Sequence, residues 1–445
     1  MSDAKITALP EATALTGEEL FLASQSAADV QATVQRLKDD LTWIRPADWP
    51  AMPTTAANIV HALVAIHDHA SNKHAVRITV SSGTYSVDWG DGVSDTGIAS
   101  GTTAEHTYDY GDGDLPAVTS RGYKVAVVTI TTSGGNITAV NTSVAPSGNV
   151  VPLPWLELQI NAPAVTTFNT FGGARLCEYI NFVATGTVTA VSFDGMAALV
   201  RIDQPGTLLS NVTSLQNVFR GCSSLRRVNL SGLGTAVTTM QGAFQNCSSL
   251  TELTFPAGTL GSSLTNLTQT FNGCGRLASL TLPSGAFSHV TSAASAFNGC
   301  SALGRVVFPS GAFVATTSMG SFLANCTALR FVEFGSALTA VTDIGAMFTT
   351  CALLQHIKFA SGGFACLSSA TANLFNGCSA LSRIENCSLP LTFSLLNCRL
   401  GAAALDEIYT ALPTISSQTL TVTGNFGTSA DTPSIATGKG WTVIG

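Results

Sequence analysis

Apolar residues along the second half of the chain follow two spacings in turn. In VTTMQGAFQNCSSLTELTF, apolar residues recur every three or four positions from Val237 to Leu250, which places them on one face of a helix. The step then shortens to two at Leu253 and Phe255, and at Leu280 and Leu282 in the next copy, which is the period of a strand. Turns rich in proline and glycine, such as PSGAF, follow the strands. The pattern predicts a unit of one short helix, one short strand and one turn.

This unit recurs along the chain. Successive copies of its cysteine lie 25, 27, 26, 26, 25 and 27 residues apart. A phenylalanine, or leucine in one copy, stands three residues before each cysteine, and a leucine stands three residues after it. Such a unit cannot bury its apolar face alone, so we expect the copies to stack into a solenoid of parallel strands. The predicted core ladder consists of Phe219, Cys222, Phe244, Cys247, Phe271, Cys274, Phe297, Cys300, Cys326, Phe348, Cys351, Phe375 and Cys378.

The F-x-x-C-x-x-L unit with its following strand resembles the BspA-like leucine-rich repeat of bacterial surface proteins and some phage proteins, over residues 168–400. The resemblance implies a leucine-rich-repeat solenoid, which we assign to 151–400, and carries little information about a ligand. Residues 401–445 are predicted to be a capping repeat, because the last layer of a solenoid must be covered. Within this cap, GAAALDEIYTAL is predicted to be a helix, and QTLTVTG and WTVIG are predicted to be strands.

Residues 76–150 follow a third pattern, in which alternating apolar residues are separated by turns of Gly and Asp. Such alternation is typical of a small β-sandwich. The DWGDG turn at 88–92, followed by His106 and Tyr108, resembles the polycystic-kidney-disease (PKD) type of immunoglobulin-like domain. This resemblance implies a spacer or an adhesive module.

Residues 1–75 are predicted to form an N-terminal helical segment, with helices over 28–42 and over 54–69, the latter from the spacing of Ile59, Leu63 and Ile66. The stretch ITALPEATALTGEELFLASQSAADVQATVQRL resembles the N-terminal segment of many phage tail and tail-fibre proteins. That resemblance implies attachment to other virion proteins of the tail or baseplate. The predicted fold class is therefore multidomain and β-rich: a helical segment, a PKD-like sandwich, and a capped solenoid.

Composition and charge exclude several classes of protein. Of the residues, 45% are hydrophobic and 11% are charged, against about 25% charged in ordinary globular proteins. The apolar content excludes a disordered chain, and neither a membrane-spanning run nor a secretion-signal pattern is present. Net charge is −7, although residues 204–400 carry nine Lys and Arg against four Asp and Glu. This excess is too small for a nucleic-acid footprint, so we expect neither nucleic-acid binding nor membrane insertion.

The repeated cysteines allow three interpretations. Equivalent positions in parallel units point their side chains the same way, which disfavours a disulfide. Zinc sites favour C-x-x-C pairs or nearby histidines, and the sequence has no C-x-x-C. Two weaker copies of the unit carry Ala174 and Met196 at the cysteine position, so we favour buried apolar packing.

Other candidate ligands are few. The stretch HDHASNKH contains His67, His69 and His74. Its His-x-His pair suits zinc or nickel if it lies on a strand. We favour a helix end and a solvated loop for the stretch, since a helix would point His67 and His69 in different directions. Asp88, Asp91 and Asp95 suit calcium, but turn chemistry also explains them. No motif of the common hydrolases or nucleotide-binding enzymes is present. We expect no catalytic site, no metal and no cofactor.

Charged residues between the buried strand positions should form a column that faces outward. This column is either an ordinary solvated face or a face that binds anionic surface glycans. The predicted ligand-binding residues are Arg226, Arg227, Arg305, Arg330, His356, Lys358 and Arg383.

Together these features predict a phage virion structural protein, namely a tail fibre or receptor-binding protein that recognises a host surface glycan or protein through its solenoid. Free thiols and the missing secretion signal fit assembly in the host cytoplasm. Analogy with tail fibres implies a homo-oligomer, and by the same analogy a trimer. Two alternatives stay open: a capsid or tail decoration protein without a receptor, and a bacterial surface adhesin, which should carry an export signal or anchor.

Overall fold

The structure is a computed structural model. It describes residues 45–68, 72–147, 155–169, 176–185, 187–203, 208–256, 262–282, 286–364, 366–368 and 373–445. The predicted helix over 28–42, the tail-fibre-like stretch and the weak repeat copy at Phe171 and Ala174 lie outside these residues. Every element below belongs to the compact unit Pro50–Gly445.

The first strands of the chain form two sheets. Their bounds are β1 Ile59–Ile66, β2 Asn72–Val80, β3 Thr84–Asp88, β4 Ser94–Ala99, β5 Thr103–Tyr108, β6 Lys124–Ser133, β7 Ile137–Asn141, β8 Trp155–Ala162, β9 Thr167–Asn169, β10 Tyr179–Thr185, β11 Ala190–Ser192 and β12 Arg201–Asp203. One sheet has the strand order β12-β10-β8-β1-β6-β3-β4, and the other has the order β11-β9-β7-β2-β5. Apolar residues of both sheets belong to one core.

The helix predicted over 54–69 is wrong, because Ile59–Ile66 forms strand β1 in the middle of the larger sheet. This strand pairs antiparallel with β6 on one side and β8 on the other. Every residue from Val60 to Ile66 is buried. A short, continuous apolar run is compatible with a buried helix and with a strand covered on both faces. Here the pairing of β1 with a strand on each side makes the run a strand.

Both sheets continue from the antiparallel region into the repeats. In the larger sheet, β8 pairs antiparallel with β1 and parallel with β10. In the smaller sheet, β7 pairs antiparallel with β2 and parallel with β9. A single set of packed, buried residues runs from Val60 to Trp441. The antiparallel strands therefore cover the first parallel strands of the repeats. In each of the two sheets, the backbone pairing continues from one group of strands to the other.

The repeats form the predicted leucine-rich-repeat solenoid. Its strands are β13 Arg227–Asn229, β14 Glu252–Thr254, β15 Arg305–Phe308, β16 Phe331–Phe334, β17 His356–Lys358 and β18 Arg383–Glu385. Strands β13 and β14 pair in parallel, and β15 to β18 form a four-stranded parallel sheet. The strand predicted at Leu280 and Leu282 is absent, since the described residues there form no strand.

The short helix predicted in each repeat is also wrong. These segments are successive hydrogen-bonded turns, because two positions per repeat have a left-handed backbone with φ between 55° and 80°. A right-handed helix cannot continue through such residues. The first position, two residues before the core Phe or Leu, is Asn217, Gly242, Gln269, Ser295, Ser321, Ala346 and Asn373. The second, directly before the Cys, is Gly221, Asn246, Gly273, Gly299, Asn325, Thr350 and Gly377.

Alternate backbone N–H groups in these turns donate to the next repeat. In the repeat of Phe219, the amides of Leu215, Asn217 and Phe219 donate to Thr239, Gln241 and Ala243 at 2.9, 2.9 and 2.8 Å. The intervening amides, such as those of Val218 and Arg220, donate to the carbonyl three residues earlier in their own repeat. We call the first set the inter-repeat ladder.

The C-terminal region contains the predicted helix and both predicted strands. Its elements are β19 Phe393–Ser394, α1 Ala402–Ala411, β20 Gln418–Thr421, α2 Ser434–Thr437 and β21 Trp441–Ile444. Strands β19, β20 and β21 pair in parallel. Helix α1 buries Leu405, Ile408 and Tyr409. The single turn of α2 was not expected from the sequence.

The core phenylalanines stack on one another along the solenoid. Phe244 and Phe271 have ring centroids 5.7 Å apart and an interplanar angle of 6°, and Phe271 and Phe297 lie 5.2 Å apart at 21°. The stack is interrupted where Leu323 takes the same position, and Phe348 and Phe375 resume it at 5.8 Å and 4°. Each repeat thus contributes one side chain to a continuous apolar column, a Phe ring in every copy except that of Leu323.

We expect Phe271→Ala to lower the free energy of unfolding by about 3–5 kcal/mol, because it opens a cavity in the middle of this column. Phe271→Leu should cost about 1–2 kcal/mol, since Leu323 already occupies the equivalent position. Denaturant unfolding followed by circular dichroism measures both values. Equal losses for the two variants would contradict the stacking account.

Candidate binding face

The repeat cysteines form a ladder of thiols inside the solenoid. Each thiol donates a hydrogen bond to a backbone carbonyl of the preceding repeat: Cys247 Sγ lies 3.0 Å from Phe219 O, and Cys274 Sγ lies 3.1 Å from Phe244 O. The remaining thiols of this ladder are Cys222, Cys300, Cys326, Cys351 and Cys378, at 3.1 to 3.3 Å from the equivalent oxygen. The accepting carbonyl belongs to the core Phe or Leu of the preceding repeat. For Cys222 it belongs to Phe193, which takes the same position in the weaker copy that contains Met196.

Burial raises the pKa of these thiols. The pKa of Cys247 and that of Cys351 rise to about 12, and those of Cys274 and Cys300 rise well above the ordinary value, because the core does not solvate a thiolate. The thiolate is the form that attacks electrophiles and binds metals. The contacts and the pKa shifts are those of a small, buried core residue.

The outward side chains of β13 to β18, together with the residue that precedes each strand, form a surface that we call the outer strand face. On the four-stranded sheet, strand register arranges these side chains in two columns. The first column is Arg305, Phe331, His356 and Arg383, and the second is Val307, Glu333, Lys358 and Glu385. Arg330 directly precedes β16. Five of the seven predicted ligand-binding residues therefore lie together here, whereas Arg226 and Arg227 lie at β13, in a separate sheet.

Carboxylates of neighbouring repeats pair with several of these cations. Lys358 Nζ lies 2.7 Å from Glu333 Oε1, and this hydrogen bond raises the pKa of Lys358. Arg227 forms an ion pair with Glu252 at 3.2 Å on the two-stranded sheet. Both pairs join adjacent strands, so these cations are partly neutralised before any ligand arrives.

Glu385 contacts two further basic side chains. His356 Nε2 lies 2.9 Å from Glu385 Oε1, and Arg383 Nη1 lies 3.1 Å from the same oxygen. Arg383 also contacts Glu407 of α1 at 3.1 Å, and this hydrogen bond raises the pKa of Arg383. Each basic side chain of β17 and β18 thus has a carboxylate partner.

Arg305 and Arg330 differ from their neighbours. Both are exposed, and within the described residues neither forms an ion pair with a carboxylate. The Arg305 guanidinium instead lies over the Phe331 ring, with Cζ 4.3 Å from the ring centroid. The ring of His356 meets the other side of Phe331 edge-on at 5.1 Å. Sequence reasoning missed Phe331, although its place in the strand, aligned with Arg305, marks it as outward.

A column of threonines on the turn side of the solenoid was also missed. Threonine stands six residues before the core Phe or Leu in six consecutive repeats, and this recurrence is visible in the sequence. Each hydroxyl from the second repeat onward donates to the carbonyl of the preceding threonine at 3.0 to 3.2 Å. The column therefore adds a row of side-chain hydrogen bonds between neighbouring repeats on the solvent-exposed side of the inter-repeat ladder. Its members are Thr213, Thr238, Thr265, Thr291, Thr317 and Thr342.

The histidine-rich stretch does not form a helix end. His67 is exposed just beyond β1, His69 lies outside the described residues, and His74 is buried in β2. The ring of His74 packs edge-on against Trp155, with centroids 3.8 Å apart. The interpretation as a solvated loop is therefore wrong for His74.

The carboxylates of the DWGDG turn have protein partners. Asp91 is buried, its Oδ2 lies 2.6 Å from His106 Nε2, and its Oδ1 accepts the backbone N–H of Val93. Trp89 Nε1 donates to Asp95 at 2.9 Å. The Asp91–Val93 bond is the turn chemistry expected of such residues, whereas the Asp91–His106 contact joins the turn to β5. Over the part of the chain that the structure describes, no group of three or more His, Cys, Asp and Glu is placed to hold a metal ion.

The repeats match a known family. The model of the BspA type leucine rich repeat region matches residues 169–293, 215–344 and 267–394, which together span half of the chain. The chain belongs to this family. A search of curated proteins found no match. Within the described residues, no helix is long and apolar enough to cross a membrane.

Two solved structures resemble the chain. One is a leucine rich cell surface protein from Faecalibacterium prausnitzii A2-165, with 17% identity, a TM-score of 0.33, and 64% of this chain and 82% of that chain covered. The other is a leucine-rich repeat protein from Eubacterium ventriosum ATCC 27560, with 17% identity, a TM-score of 0.27, and 61% and 76% covered.

Thiol labelling tests the buried ladder. Of the eleven cysteines, Cys366 is exposed and the others are buried. We expect a thiol reagent at pH 8 to modify one cysteine quickly in the native protein and eleven after denaturation, since burial both shields the thiols and raises their pKa. Cys366→Ser should remove the fast reaction. Rapid modification of several cysteines in the native Cys366→Ser protein would contradict the ladder.

Proposed function

We propose that this protein is an adhesin-like recognition protein, which binds a glycan or protein on a cell surface through the outer strand face. Membership of the BspA-type family supports a surface role. The observation that carries the proposal is the four-stranded sheet, whose register holds charged and aromatic side chains outward at fixed positions. Solenoids commonly use such extended surfaces for binding.

The construction of the molecule supports this role. In both sheets the antiparallel strands continue directly into the first parallel repeat strands, through β8 in one sheet and β7 in the other. Few side chains must become ordered on binding, because the sheet and its ion pairs already position them. A preorganised surface loses less entropy when it binds.

In its finer form, the proposal places the protein on a phage virion. The residues before β1 would attach to other tail or baseplate proteins, the PKD-like region would act as a spacer, and a homo-oligomer would present several solenoids to the host. The support is the sequence resemblance of the first 45 residues and of the DWGDG, His106 and Tyr108 pattern. A bacterial surface adhesin uses the same face, and a decoration protein does not need it.

Adsorption to cells tests the common part of the proposal. Purified full-length protein, labelled at Cys366, should bind to cells of its host at micromolar concentration, and unlabelled protein should compete for the sites. The proposal would be contradicted if the protein showed no saturable binding either to bacteria that carry its gene or to bacteria that a phage with this gene infects. Immunogold labelling then separates the alternatives: label on phage tails supports the fibre, label on capsids supports decoration, and label on bacterial envelopes supports an adhesin.

A further inference from the structure

We propose that Arg305, Arg330 and Phe331 form a subsite for an acidic sugar, carboxylated or sulfated, within a surface glycan. This inference rests on the proposed function, because it names the ligand of the outer strand face. It concerns one end of the four-stranded sheet, where β15 and β16 lie side by side.

The distribution of carboxylates singles out these residues. Lys358 pairs with Glu333, and Arg383 and His356 share Glu385. Within the described residues, no ion pair with a carboxylate is formed by Arg305 or Arg330. Positive charge is therefore left over at the β15–β16 end of the face. An incoming anion meets guanidinium groups there that need not give up a carboxylate first.

The backbone places both arginines at positions adjacent to Phe331. Arg305 is directly opposite Phe331 in the parallel register of β15 and β16. Arg330 precedes Phe331 in the chain, and its amide donates to the carbonyl of Gly304 at 2.8 Å. Gly304 has open space where a Cβ would stand, so no side chain at that position blocks approach to Arg330.

The ring supplies the second part of a sugar site. Phe331 is half-buried and is fixed between the Arg305 guanidinium at 4.3 Å and the His356 ring at 5.1 Å. Val307, 40% exposed, lies two residues from Arg305 on the same face. Sugar rings present an apolar face of C–H groups that packs on such surfaces, while guanidinium groups bind a carboxylate or sulfate with paired hydrogen bonds.

This combination favours an acidic sugar over other anions. A nucleic acid requires clustered basic residues over a wide area, whereas the chain has a net charge of −7. An isolated phosphate does not use the apolar ring. Two guanidiniums beside one exposed aromatic edge match a single anionic sugar unit in a longer polymer.

The chain contains a charge-matched control for both arginines. Arg276 and Arg399 are exposed and lie outside the outer strand face. Replacing both changes the net charge equally but leaves the proposed subsite intact.

Calorimetric titration of the full-length protein is the test. The probes are a sulfated heparin hexasaccharide, a carboxylated oligogalacturonate and a neutral galactose oligomer of equal length. We expect one or both anionic probes to bind and the neutral probe not to bind. The double variant Arg305→Gln/Arg330→Gln should weaken binding at least about tenfold, because two charge-assisted contacts are lost. The control Arg276→Gln/Arg399→Gln should bind like the wild type.

Sulfate and carboxylate are distinguished by which anionic probe binds. Phe331→Ser should weaken binding while leaving its salt dependence in place, whereas the arginine variant should reduce that dependence. Equal losses in both double variants, or equal binding of the neutral probe, would overturn the subsite. An unchanged unfolding midpoint verifies that each variant is folded.

Cell adsorption of the same variants separates this inference from the proposed function. If wild-type protein adsorbs and Arg305→Gln/Arg330→Gln adsorbs equally well, the subsite is wrong and surface recognition stands. If the anionic probes bind as expected but no variant adsorbs to cells, the subsite stands and the proposed role is wrong.

Discussion

The inter-repeat ladder is the constraint on which the rest of this structure depends. In each turn segment, alternate backbone N–H groups donate to the next repeat, as those of Leu215, Asn217 and Phe219 do. A residue in the left-handed conformation stands two positions before each core Phe or Leu and another directly before each Cys, which prevents the helix that would keep those donors within the repeat. Neighbouring repeats are thereby held in one register. The stacked phenylalanines and the thiol bonds to Phe carbonyls are consequences of that register.

The same register organises the outside. Because β15 to β18 align residue by residue, outward side chains of adjacent repeats stand next to one another, and most charges find a partner there. Within the described part of the chain, Arg305 and Arg330 face outward without a carboxylate partner, next to Phe331 in strand register or in the chain. We propose that recognition uses these outward residues, while the repeated Phe and Cys form the scaffold.

The repeat and its core were predictable because burial imposes the same residue at the same place in every copy, as at Phe244 and Cys247. The local conformation was not, since a spacing of three to four residues is common to a helix and to successive turns. Strand β1 was misassigned for a related reason: a run buried on both faces has no polar side to reveal its period. The pairing of Lys358 with Glu333, or of His356 with Glu385, depends on cross-strand register, which one sequence does not specify.

Strand β8, Trp155–Ala162, joins the antiparallel strands to the parallel repeat strands in one continuous sheet. Native-state hydrogen–deuterium exchange of peptides from β8 measures this continuity. We expect β8 amides to exchange as slowly as those of β1 and of the repeat segment 239–250, because all are held by buried cross-strand bonds. Exchange of β8 at the rate of the exposed loop 109–118 would show that the pairing is broken there, which is incompatible with a continuous sheet.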